Sequence, residues 1–302
     1  MLPRRIGHGI ALALLFTVCV AQADTVVHGH RGARGERPEN TLAAFQHALE
    51  IGVDVLELDV VISRDNQPTI NHDLWVNAEL CTRNGKPIAP RQAVRSFTLA
   101  QLRQFDCGSL PNPRFPQQVL QPGQHIASLA ELFQLVVESP LPNAANMRFN
   151  IETKIKPRHP ELTPDPEQFA RLLLKVIADF KLEHRVTIQS FDYRTLKWTK
   201  LLAPEISLSQ LTFRNYVNLV PALRSIDARV ISPDWQSITA EMVAEFHTNN
   251  IRVAPWTANT PEAWNYLLEI GVDEIITDYP SALMEYLRQK NLRSARDAHV
   301  HP

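Results

Sequence analysis

Short apolar runs alternate with longer amphipathic stretches along most of this chain. Strand-like runs fall at 25–28, 54–61, 67–71, 147–153, 186–189, 205–211, 228–232, 251–255 and 274–277. Between most of them apolar positions recur at helical spacing, over 39–51, 166–182, 193–202, 239–249, 261–270 and 281–291. Asn40 or Thr41 stands where the first helix needs a cap. Strands separated by helices imply crossover units and a parallel sheet. The number of units predicts an α/β fold of the closed TIM (β/α)8 barrel type. A doubly wound open sheet is the competing arrangement. It would carry a glycine-rich dinucleotide turn after its first strand, and HRGARG is not GxGxxG.

One segment breaks the alternation. Residues 74–127 hold LWVNAELCTRNGKPIAP, a short helix near 99–105, and the Pro/Gln-rich PNPRFPQQVLQPGQ. They read as an insertion after the third strand, on the carboxyl-end face of the barrel, where such loops shape substrate access.

Composition narrows the picture further. A chain of 302 residues could hold two domains, but α/β barrels run to about 250 residues as one. A single barrel domain over 24–292, with residues 293–302 as a polar, disordered tail, is therefore expected. With 44% hydrophobic and 21% charged residues the chain falls in the soluble globular class. A net charge of −1, with both signs interspersed, offers no basic face for nucleic acid.

The first residues are set apart. Arg4 and Arg5, an apolar stretch from Ile10 to Val20, and Ala21-Gln22-Ala23 have the order of a secretory signal over 1–23. The apolar stretch is short of the roughly 20 residues that span a bilayer, so no stable membrane insertion of the mature chain is expected. Val18 before Cys19 argues against a lipidation site. Export, periplasmic or secreted, would leave Cys81 and Cys107, which can pair in an oxidising compartment. Closing that loop would contribute on the order of 3 kcal/mol.

Candidate chemistry gathers at strand ends. Glu57 and Asp59, two apart on one strand, share a face, as do Glu152 and Lys154 on another. Each carboxylate alone could simply pair with a nearby Arg or Lys. Three converging at one height would repel one another unless a cation lay between them, and oxygen donors suit Ca2+ or Mg2+. His30 and His72 also end strands, where paired imidazoles can exchange protons with a substrate. His28 shares a face with His30, so periodicity does not choose between them. Arg31 and Lys154 add positive charge suited to an anion such as a phosphate ester. Trp256 could wall a substrate or merely fill core. Gln189, Ser190, Phe191 and Asp278 hold equivalent strand-end positions with no role beyond lining. A serine hydrolase is excluded, since no GxSxG elbow is present.

In these residues the chain resembles the glycerophosphodiester phosphodiesterase family. The matching pieces are HRGARGERPENT at 30–41, ELDV at 57–60, HD at 72–73, NIETK at 150–154, QSF at 189–191, PWT at 255–257 and TDYP at 277–280. They occur in the family's order over essentially the whole mature chain. IASLAEL at 126–132 departs from the family's usual proline-threonine pair, and His28 replaces a usual apolar residue. The resemblance implies a metal-dependent TIM barrel that hydrolyses glycerophosphodiesters to glycerol phosphate and an alcohol. It implies His30 and His72 as the acid–base pair, Glu57, Asp59 and Glu152 as ligands of a divalent ion, and Arg31 and Lys154 as phosphate contacts. A related barrel phospholipase acting on intact phospholipids is the nearest alternative, and no obvious amphipathic docking segment favours it. A catalytically silent phosphodiester-binding barrel would have no need of paired histidines.

Overall fold

The computed structural model describes residues 25–293. The expected signal segment at 1–23, with Cys19, and the tail from 294 onward lie outside the described residues. The strands are β1 Val26–Gly29, β2 Val55–Ile62, β3 Pro68–Ile70, β4 Thr82–Arg83, β5 Lys86–Pro87, β6 Phe105–Asp106, β7 Arg148–Thr153, β8 Val186–Ser190, β9 Ser207–Thr212, β10 Val230–Pro233, β11 Arg252–Val253 and β12 Glu274–Thr277. The α-helices are α1 Leu42–Ile51, α2 Leu99–Leu102, α3 Leu129–Val137, α4 Pro166–Asp179, α5 Tyr193–Leu202, α6 Leu219–Ser225, α7 Ala240–Thr248, α8 Pro261–Glu269 and α9 Pro280–Gln289.

Eight parallel strands follow one another in the order β11-β10-β9-β8-β7-β2-β1-β12. Three backbone bonds join the two ends: Asp273 N–H to Val253 O, Ile276 N–H to Pro255 O and Ala258 N–H to Ile276 O. The result is a nearly closed barrel with a helix after each strand. Along β2, Leu56, Leu58, Val60 and Ile62 pack outward in the main core while Glu57 and Asp59 alternate with them. All eight positions of this strand are buried, as a strand covered on both faces requires. In α1, Thr41 rather than Asn40 is the cap, its hydroxyl accepting from Ala44 N–H. Ala44, Phe45, Ala48 and Leu49 form the buried stripe of that helix.

The expected third barrel strand is not one. β3 pairs antiparallel with β2, Val60 opposite Ile70 and Ile62 opposite Pro68, as the return arm of a hairpin. Its connection, residues 63–67, is too short for the crossover of a dozen or more residues that parallel strands need. The residues between β3 and α3 carry a small antiparallel sheet, β5-β4-β6, and their own core of Leu74, Val76, Val94, Leu102, Phe105 and Ile126 around Val61 of β2. Cys81 and Cys107 are disulfide-bonded within it. Helices α3 and α6 were not expected from the periodicity. Arg293, expected to open the disordered tail, instead pairs with Asp54 through two contacts of 2.7 and 2.8 Å.

Candidate active site

The carboxyl ends of β1, β2 and β7 meet beside β12, and each delivers one or two polar side chains to the same point. Glu57 and Asp59 on β2 and Glu152 on β7 bring carboxylate oxygens within 4.8 Å of one another, all buried. The register makes this inevitable, since Asp59 lies opposite Glu152 in the ladder. Lys154, the next residue on that face, places Nζ 3.2 Å from Asp59 and 2.8 Å from Glu152. Asp59 is also held by the Asn40 side-chain amide at 2.9 Å, and Glu57 by Gln189 at 2.8 Å.

The turn after β1 is shaped for close approach. Gly32 has φ +84°, and a Cβ there would come within 2.7 Å of the Ala44 backbone. Arg31 itself adopts φ +50°, a conformation that costs a non-glycine residue on the order of 1 kcal/mol. In return its backbone N–H donates to Glu57 at 2.9 Å. Its guanidinium bonds Glu39 at 2.7 Å, while Nε lies 3.2 Å from Asp59 without the alignment of a hydrogen bond.

His30 and His28 now separate. His30 Nδ1 is 2.6 Å from Asp278, and Nε2 faces Glu57 at 3.8 Å. Asp278 accepts two bonds from Arg34 and one from Asn259, so it is an anion that fixes Nδ1 as the protonated nitrogen. His28 instead lies with Glu274, Arg148 and Arg252 at the amino end of the strands. His72 arrives through the hairpin: Asn71 N–H donates to Asp59 O at 3.1 Å, which returns the chain to the acidic cluster. His72 lies 3.5 Å from Asp73 and keeps about a third of its side chain exposed. Together with Arg31, Arg34, Glu39 and Asp73 it lines a polar cavity of about 420 Å³. Trp256 is not part of this group. Its Nε1 donates to Ser232 O at 2.9 Å, and its ring stands edge-on to Phe191 and Phe213.

The electrostatics reflect crowding. Burial, then Asp59 and Glu152 nearby, push the Glu57 carboxyl well above its ordinary range. Burial also raises Glu152, which Lys154 opposes. Burial would raise Asp59 too, but Lys154 and Arg31 hold it well below the usual carboxylate range. Lys154 stays a cation, because Asp59 and Glu152 outweigh its desolvation. Burial and the Arg34 charge lower His30 to about 4, so its imidazole is neutral at physiological pH. His30 and Arg34 hold Asp278 well below its ordinary value against the effect of burial.

The donor set fits a divalent cation. It is all oxygen, its like charges are only partly balanced by Arg31 and Lys154, and Glu57 is driven toward protonation where no further positive charge compensates it. Sequence reasoning missed Asn40, Gln189, Arg34, Asn259 and Asp278 as working members of the cluster. Gln189 and Asp278 were visible as strand-end polar residues, but nothing in their spacing named their partners.

Residues 30–282 match the profile of the glycerophosphoryl diester phosphodiesterase family. The chain belongs to this family. It is 31% identical over 265 residues to the glycerophosphodiester phosphodiesterase of Caldanaerobacter subterraneus subsp. tengcongensis, covering 88% of this chain and 98% of that protein. Among solved structures, a Silicibacter pomeroyi protein assigned to the glycerophosphoryl diester phosphodiesterases superposes with a TM-score of 0.82 at 30% identity, covering 89% of this chain and 94% of that one. An Oleispira antarctica phosphodiesterase, solved with its product sn-glycerol-3-phosphate, shares the fold with a TM-score of 0.73 at 23% identity. It covers 88% of this chain and 97% of the other.

Proposed function

We propose that this family member hydrolyses glycerophosphodiesters to glycerol 3-phosphate and an alcohol at the cluster of His30, His72, Glu57, Asp59, Glu152, Arg31 and Lys154. The observation that carries the mechanism is the His30–Asp278 pair, which holds a neutral imidazole with Nε2 directed at the acidic centre. His30 Nε2 takes the proton of the attacking oxygen, whether water or a substrate hydroxyl. His72 is more exposed and stands beside the polar cavity, where it protonates the departing alkoxide, with Asp73 steadying its imidazolium form. The bond from phosphorus to the alcohol oxygen breaks as the bond to the incoming oxygen forms, and one water is consumed overall. Arg31 and Lys154 meet the phosphoryl oxygens, and Lys154 can do so because it reaches from the acids on a flexible stem.

Glu57, Asp59 and Glu152 would hold Ca2+ or Mg2+, which when bound supplies Lewis-acid polarisation of the phosphoryl group. Glycerol 3-phosphate release from glycerophosphocholine should fall to background in EDTA and return on adding one of the two ions. Full turnover after exhaustive chelation would remove the metal from this reading. No glycerol phosphate release under any metal condition would remove the activity. Export is proposed as well, supported by the leader-like first residues and by a disulfide that suits an oxidising compartment. Recovery of the protein only in the cytosolic fraction of expressing cells would refute it.

A further inference from the structure

Where β8 and β9 end, the rim is made of different side chains. Phe191 directly follows β8 and Phe213 directly follows β9, and their rings stack at 4.3 Å with 12° between planes. Trp256 stands edge-on to both, at 5.6 and 5.3 Å. This apolar face is open to solvent: Phe213 is 58% exposed, Tyr216 52% and Val217 91%. Contiguous exposure of this kind marks a binding surface more often than ordinary exterior.

Behind the rings, between the end of β9 and α6, lies a cavity of about 690 Å³ with no charged residue in its lining. That volume lies within the usual range of small-molecule sites. Leu211, Leu219 and Ile226 line its apolar walls. One lining group is out of place in such a wall. Thr212 is only 6% exposed, and its hydroxyl has no hydrogen-bond partner. A buried hydroxyl left unpaired calls for an acceptor from a ligand.

The cavity is continuous with the acidic centre through β8. Gln189 of that strand holds Glu57, and two residues on Phe191 opens the apolar wall. Glu152 on β7 and Thr212 on β9 stand two strands apart, about 10 Å at the usual strand spacing. A phosphoglycerol unit with an ester bridges a gap of that order.

We propose that this cavity holds the single acyl chain of a lysophospholipid-class glycerophosphodiester, with the Thr212 hydroxyl donating to the ester carbonyl. The inference rests on the phosphodiesterase reading above and names its substrate class. Water adds to phosphorus, the bond from phosphorus to the headgroup alcohol breaks, and the alcohol leaves with the proton. The acylglycerol phosphate remains. A water-soluble diester such as glycerophosphocholine offers this wall nothing to bury. Periodicity could not reveal the site, because its residues come from separate strand ends and a loop rather than from one amphipathic helix.

The test measures choline release by the purified, metal-supplemented protein from glycerophosphocholine and from monomeric palmitoyl lysophosphatidylcholine. The ester lipid should be the better substrate by kcat/KM. Phe213→Ser and Ala222→Trp, the one opening the wall and the other filling the cavity at exposed positions, should each lower kcat/KM on it by at least about tenfold. Both should leave glycerophosphocholine turnover within about twofold. Thr212→Val should weaken turnover of the ester lipid and spare its ether analogue, which lacks the carbonyl. Turnover of glycerophosphocholine with no preference for the lipid, or with a preference untouched by these variants, would overturn the inference and leave the phosphodiesterase reading standing. Release from neither substrate would overturn both.

Discussion

The barrel contains two buried histidine–carboxylate pairs built from the same two strands. At the amino end His28 of β1 meets Glu274 of β12 at 2.5 Å. At the carboxyl end His30, just after β1, meets Asp278, just after β12, at 2.6 Å. As pairs they are alike, and what surrounds them is not. Both ring nitrogens of His28 have protein partners, since Asn150 contacts Nδ1 at 3.5 Å, and Glu274 has a second cation in Arg252 at 2.6 Å. His30 has one nitrogen held by Asp278 and the other turned toward three carboxylates across 3.8 Å. A fully partnered pair stabilises; a pair with one nitrogen kept available can do chemistry.

The sharpest way to break this contrast is to remove each imidazole. His30→Ala should lower kcat by about 10³-fold with little change in melting temperature, as loss of a positioned general base does. His28→Ala should do the reverse, costing stability while sparing kcat. Equal kinetic losses in the two folded variants would show that the ends of the barrel do not divide the work as described.

A smaller effect is expected one residue further out. Asp278→Asn keeps the shape but loses the anion that fixes the His30 proton on Nδ1 and pairs with Arg34. A fall in kcat of about 10²-fold at nearly constant KM, with an altered pH profile, would mark a positioning role. A loss confined to thermal stability would make Asp278 structural only.

How much of this contrast could be read from residues alone is instructive. Glu57, Asp59, Glu152 and Lys154 followed from the two-residue period of strands, because parallel pairing without a bulge preserves the face. The barrel followed from the alternation of runs. The hairpin did not, although its clue was present: the five residues 63–67 cannot make a parallel crossover. The assignment mattered, because the antiparallel return is what carries His72 back to Asp59. His28 and His30 could not be told apart, since period two gives them one face and says nothing of height. Asp278 lay nearly 250 positions from its histidine, and only closure of β12 onto β1 brings them together.

The smallest effect on turnover belongs to the amino-end pair, and it should appear in acid stability. Burial would raise the Glu274 carboxyl, but His28 and Arg252 beside it hold it down at about 2. The folded value lies below the ordinary carboxylate value of about 4.3. The stabilisation is therefore complete above that ordinary value and is lost as pH falls toward the folded one. Its size is of the order of 3 kcal/mol at neutral pH, at about 1.4 kcal/mol per unit of displacement. Glu274→Gln should lower the urea midpoint at pH 7, flatten its fall between about pH 4 and pH 2, and leave glycerophosphodiester turnover within about twofold. A variant with the same acid profile as the parent would mean that Glu274 is not the group whose protonation loosens the barrel. A variant that lost turnover while staying folded would mean that the two ends of β1 are coupled, so that the lower pair sets the height at which His30 meets the acids.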